Sequence, residues 1–338
     1  MAPFHLLESA RVAENGSEDP AGLVAARGVA GRYHVARYVG RTSAAWVYRA
    51  IHTGLAVPCF LKLAELESGQ IPERLRREAR AAAAARHPAL LRVLDAGTWE
   101  GRLAYVAQEW SDGPSLRAII ERGAVVTVPE LVALALDILE GLDALHAKGI
   151  VVRALEPERI FVRETPERRE AKLFDLSRAY FTGDGGPPPL AERARDGASG
   201  IVVQSARYLS PEELLEAPLD PRADLYSFGL VLHELLTGEF PYANRGTPAG
   251  WVVAHLKDVP RPLELGPERG PMPEDLPAII RKLLAKKPED RFESAAATRR
   301  ALEDVVVPDL LRYATPRGQR VLDAWRNRVK IGMPRPPR

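Results

Sequence analysis

Lys62 is the residue of this chain whose type stands out for phosphate chemistry: a compact ammonium. Of the 47 basic residues only 8 are Lys, and Lys62 is the only one before Lys148, so a compact ammonium at that position stands out against an Arg background. A group of charges, Arg153, Glu156 and Arg159, surrounds Ala154 in the segment Gly149–Val162. Glu156 is either a base or half of a salt bridge to Arg159 or another nearby Arg; the salt bridge is expected.

Elements able to position these groups can be traced by periodicity. Short β-rich runs, Tyr33–Val39, Trp46–Ala50 and Val57–Leu63, alternate with turn signals. A helix is predicted over residues 72–86, with Pro72 at its first turn and an Ala81–Ala85 run of high helix propensity. Leu90–Val93 and Leu103–Glu109 read as two further strands. Beyond Glu109 the period becomes helical. Thr127 and Glu130 form a capping box, and Leu131, Leu134, Ile138, Leu142 and Leu145 make one apolar stripe. Further helices are predicted from Asp224 to Thr237, stopped by Gly238, and from Leu276 to Lys286. The fold class that follows is α+β, with a small β-rich lobe ahead of a larger helical one.

The segment Gly149–Val162 has the spacing and apolar frame of the protein-kinase catalytic loop, G-I-x-H-R-D-x-K-P-x-N-I-x-x. The order of motifs along residues 32–305 resembles the bacterial Ser/Thr (Hanks-type) protein kinases. Lys62 resembles the β3 lysine and Glu78 its helix partner; His87-Pro88 and Glu109-Trp110 resemble the β4 entry and the hinge between lobes. Tyr208-Leu209-Ser210-Pro211-Glu212 is similar to the A-P-E element. Asp224–Gly229 is similar to the helix-F signature, and Arg291 to the arginine that pairs with Glu212. The resemblance implies a bilobal kinase-like fold, with a small lobe at 32–109, a large lobe at 110–305 and an activation segment from Asp175 to Glu212. If nucleotide binds at all, it implies Gly40, Val47, Lys62, Glu78, Glu109 and Asp175 as the binding residues. In that frame Lys62 and Glu78 are either a phosphate clamp or a structural ion pair, and the structural role is the expectation; Asp175 is either a metal ligand or a partner of Lys62, and both roles stay open. Alone Asp175 would hold Mg²⁺ only weakly, because that ion wants octahedral oxygen ligation.

The chemical half of the resemblance is poor. Ala154 stands at the position of the catalytic Asp, Glu156 at that of the Lys and Arg159 at that of the metal-binding Asn, so no catalytic residue is expected. The loop Gly40-Arg41-Thr42-Ser43-Ala44-Ala45-Trp46-Val47 keeps only the first glycine of a phosphate-cradling loop. Phe60 replaces the small roof of the adenine slot and Phe161 stands at its floor, so the two rings are expected to fill the pocket. Losses gather at the reaction centre, while the fold-holding Glu212, Asp224 and Arg291 remain. A pseudokinase is therefore expected: a regulatory or scaffolding module for a protein partner, such as an active kinase or its substrate, without tight binding of ATP or Mg²⁺. The alternatives are an atypical phosphoryl- or nucleotidyl-transferase using Lys62, Glu78 and Asp175, and a switch that binds ATP without turnover.

Composition sets the remaining bounds. A net charge of +2 gives no ground for nucleic-acid binding, and the single Cys59 excludes an internal disulfide. No apolar run approaches a membrane span, and the first 30 residues lack signal-peptide order, so a cytoplasmic setting is expected. The Arg, Ala and Pro bias suggests a bacterial coding sequence. Residues 1–31 read as a flexible leader. The Gly/Pro-rich stretch 183–189 reads as a mobile loop, with Thr182, Ser199, Ser205 and Ser210 the Ser and Thr hydroxyls of the segment beyond Ser177. Residues 306–338 read as a basic tail in which Val321, Leu322, Trp325 and Val329 recur at helical spacing. That tail could meet an acidic partner, a membrane surface or the protein's own large lobe.

Overall fold

Alternating strand sequences from Tyr33 onward build a five-stranded antiparallel sheet in the order β1-β2-β3-β5-β4. The strands are β1 (Tyr33–Arg41), β2 (Trp46–His52), β3 (Val57–Glu65), β4 (Val93–Trp99) and β5 (Leu103–Glu109). A computed structural model describes residues 28–42, 44–166, 168–184, 206–243 and 247–306. Most of the expected leader and activation loop, Ser199, Ser205, and the basic tail from 307 lie outside the described residues. Within the leader's span Val29 is buried against the sheet, beside Tyr33 and Tyr48.

Register decides what faces the large lobe. Phe60 lies opposite Arg49 and Gln108, and Lys62 opposite Val47 and Val106. Two residues apart on β3, Phe60 and Lys62 share one face of the sheet. Helix α1 (Glu73–Ala84) buries Leu75, Glu78, Ala81 and Ala82 along one stripe, which carries the Glu78 carboxylate inward.

The expected strand at Leu90–Val93 is corrected by the structure: β4 runs from Val93 to Trp99. Leu90 and Leu91 are apolar because they dock on the other lobe. The Leu91 amide donates to Leu173 O at 3.0 Å and the Leu173 amide to Ala89 O at 2.7 Å.

The large lobe is built on α2 (Leu116–Glu121), α3 (Val128–His146), α4 (Pro211–Leu214), α5 (Arg222–Thr237), α6 (Pro248–Lys257), α7 (Leu276–Leu283) and α8 (Ala295–Ala301). The Thr127–Glu130 capping box starts α3, and Gly238, at φ 78°, ends α5. Helix α7 stops three residues short of the expected Lys286, and the chain turns there to bring Arg291 back toward α4. Two small ribbons carry the loop residues: β6 (Ile150–Val151) with β9 (Tyr180–Phe181), and β7 (Ile160–Glu164) with β8 (Arg169–Leu173). Between β6 and β7 the chain makes a single 3₁₀ turn at Pro157–Arg159. Among the described residues no helix is long and apolar enough to cross a membrane.

Candidate functional site

Four aromatic rings meet in the cleft between the lobes. Phe60 from β3 stacks on Phe161 from β7, with centroids 5.3 Å apart and planes at 30°. Trp110, just past β5, lies 4.3 Å from Phe60, and Phe174, just past β8, lies 5.0 Å from Phe60 and 5.1 Å from Phe161. Phe60 and Phe161 are each 1% exposed. Burying rings of this size is worth several kcal/mol in total, since each covers about 150–250 Å². Val47, expected as a nucleotide contact, is part of the same apolar cluster.

Behind the rings runs an alternating line of charges. Lys62 Nζ lies 2.5 Å from Glu78 Oε1 and 3.3 Å from Asp175 Oδ1, and 4.1 Å from the centre of the Phe174 ring. Arg159 Nε continues the line, 3.9 Å from Asp175 and 3.7 Å from Glu156, and its Nη1 donates to the Asp175 carbonyl at 3.3 Å. Arg178 closes it on Glu156 at 2.5 Å. Three cations thus face three carboxylates.

The two carboxylates on Lys62 differ. Burial pushes the Glu78 carboxyl up to about 7, with the Lys62 ammonium only partly offsetting it. Burial acts the same way on Asp175, yet Lys62 and then Arg159 outweigh it and hold Asp175 below the usual carboxylate range. The closer ion pair does not win because Asp175 also has Arg159 beside it and receives the Ser177 amide at 3.3 Å, whereas the Asp175 charge works against Glu78, whose Oε2 is buried without a hydrogen-bond partner.

The loop after β1 satisfies itself. The amides of Ala44 and Ala45 donate to Thr42 Oγ1 at 3.2 and 3.1 Å, and the Thr42 amide donates to Ala45 O at 2.8 Å. Among the described residues of this loop, the Ala44 and Ala45 amides, donors of the kind a glycine-rich loop would offer to phosphate, are spent on a local hydroxyl turn. Gly40 is buried at the root of this loop. Glu109, another expected nucleotide contact, is paired with Lys172 at 3.0 Å.

Around Ala154 the backbone is strained. Arg153 has φ 67° and Ala154 φ 46°, left-handed values that cost a non-glycine residue about 1–3 kcal/mol each. Asp224 holds them there, accepting from the Val152 and Arg153 amides at 2.8 Å each, with His146 Nε2 also at 2.8 Å. Arg153 Nε donates to Glu213 Oε1 at 3.2 Å, an acid carried by α4. Further along, Arg291 grips Glu212 with both ends of its fork, at 2.6 and 2.8 Å. It also donates to the carbonyls of Ala285, Arg222 and Lys286, which employs all five of its N–H groups.

The structure therefore brings Lys62, Glu78, Asp175, Glu156 and Arg159 into one line, and Phe60 and Phe161 into one stack. Glu109, Glu212, Asp224 and Arg291 act elsewhere, as interlobe or large-lobe ties. Sequence reasoning missed three contributors. Trp110 and Phe174 were signalled only as aromatics flanking Glu109 and Asp175, and Thr42 by the Ala-Ala pair beyond it. An adenine ring does not fit between positions 60 and 161, because those two rings lie directly on each other. Mg²⁺ does not fit at Asp175, whose oxygens face Lys62 and Arg159. Among the described residues no group of three or more His, Cys, Asp or Glu is placed to hold a metal ion.

Comparison with known proteins gives the lineage. A family model described as "Protein kinase domain" matches residues 33–302. The chain is similar to the serine/threonine-protein kinase PknB of Mycobacterium tuberculosis, 34% identical over 229 residues, covering 67% of this chain and 34% of the relative. It is also similar to PknH of the same species, 30% identical over 313 residues, covering 91% of this chain and 46% of the relative. The chain thus spans between about a third and a half of the length of these curated relatives. With this two-lobed architecture, this match and these relatives, the chain belongs to the protein kinase family, in its bacterial Ser/Thr (Hanks-type) branch.

Proposed function

We propose that this chain is a pseudokinase: a regulatory or scaffolding module that engages a protein partner and does not transfer phosphate. Phosphoryl transfer needs a carboxylate to orient the nucleophile, two metal ions, and cations directed at the phosphates. The observation that carries the reading is the alternating line of ion pairs across the cleft, in which Lys62, Arg159 and Arg178 each face a carboxylate. Ala154 offers no carboxylate, and Arg159 occupies the metal-ligand position and bonds the Asp175 carbonyl. Lys62 is committed to Glu78 and Asp175, and Arg178 to Glu156. Lys62, Arg159 and Arg178 thus already face carboxylates, and a Glu156 left unpaired would repel a phosphate.

Besides the backbone bonds of Ala89 and Leu91 with Leu173, four side-chain ties hold the lobes together without nucleotide. They are the ring stack, the Lys62–Asp175 pair, the Glu109–Lys172 pair and the exposed Arg80–Asp184 pair, whose guanidinium also lies 3.8 Å over the Phe181 ring. A rigid shape of this kind suits a module read by another protein better than one that must open and close on a substrate.

The test is reversion. Ala154→Asp restores one carboxylate and leaves Arg159, the ring stack and the paired Lys62 in place. It is expected to fold and to incorporate no radiolabel from ATP with Mg²⁺ or Mn²⁺, into itself or into generic protein substrates, as is the parent. Label incorporated by the parent and abolished by Asp175→Ala would replace this proposal with an atypical transferase. Label incorporated by the revertant alone would make the protein a recently disabled enzyme.

A further inference from the structure

We draw no further inference here: the strongest candidate, the apolar surface patch that the outward face of α6 (Ala249, Val252, Val253 and Leu256) makes with the exposed Leu215 and Val259, carries nothing because nothing in the structure shows what covers it.

Discussion

Replacing Phe60 by Ala removes the one ring that touches all three others in the cleft. The ring is 1% exposed and lies between Trp110 at 4.3 Å, Phe174 at 5.0 Å and Phe161 at 5.3 Å, so the neighbours cannot close the gap without moving both lobes. Loss of transfer energy plus the cavity term puts the cost at about 3–5 kcal/mol. For a folded body of this size each kcal/mol shifts the melting temperature by about 2–4 °C, so the variant should melt about 6–20 °C below the parent. The same cavity gives a planar base somewhere to stack. Adenosine at millimolar concentration should raise the melting temperature of Phe60→Ala and leave the parent unmoved, because only a ligand that binds the native state stabilises it. Differential scanning fluorimetry with and without ligand reads both effects. A variant melting within about 2 °C of the parent would show that the ring is not packed as described. Low-micromolar ATP binding to the parent by calorimetry would refute the filled cleft altogether.

Glu212→Ala leaves the Arg291 guanidinium buried without its carboxylate and should cost about 3–5 kcal/mol, so an unshifted denaturation midpoint would remove the anchor from the argument. Acid response should split between two groups. Burial lowers the His255 pKa to about 3 from an unfolded value near 6.5; below that value the unfolded chain takes up a proton that the folded chain refuses, and stability falls. The raised pKa of Glu78, about 7, does the opposite: its contribution is complete below the unfolded value of about 4.5 and is lost as pH rises through 7. Urea unfolding from pH 7.5 to 5 should therefore show a flatter acid loss for His255→Gln and a steeper one for Glu78→Gln, and two variants with the parent's slope would refute both assignments.

The sequence showed the fold because lobe-building elements announce themselves locally. The capping box at Thr127, the stop at Gly238 and the alternation through β1 to β3 need no distant partner to be recognised. The stacking of Phe60 on Phe161 and the capture of Glu156 by an arginine were also legible, since the kinase-like frame places those positions face to face. What escaped depends on contacts between segments far apart in the chain. Leu90 and Leu91 look like strand residues until Leu173 is seen across the lobe boundary. Trp110 and Phe174 joined the ring cluster from two separate turns, and Arg153 found Glu213 across 60 residues. Periodicity carries no information about such meetings.

The membership of the cleft bears on how the molecule comes apart. Phe60, Lys62 and Glu78 belong to the small lobe, while Phe161, Phe174, Asp175, Glu156, Arg159 and Arg178 belong to the large one. Hinging the lobes open would wet the rings and sever the Lys62–Asp175 contact in a single movement, with no ligand to take their place. A partly open form is thus penalised nearly as heavily as a broken one, and the lobes should denature as one cooperative unit. Calorimetric and van't Hoff enthalpies should agree over one transition, and the slowest amides of β3 and β8 should share a single opening free energy.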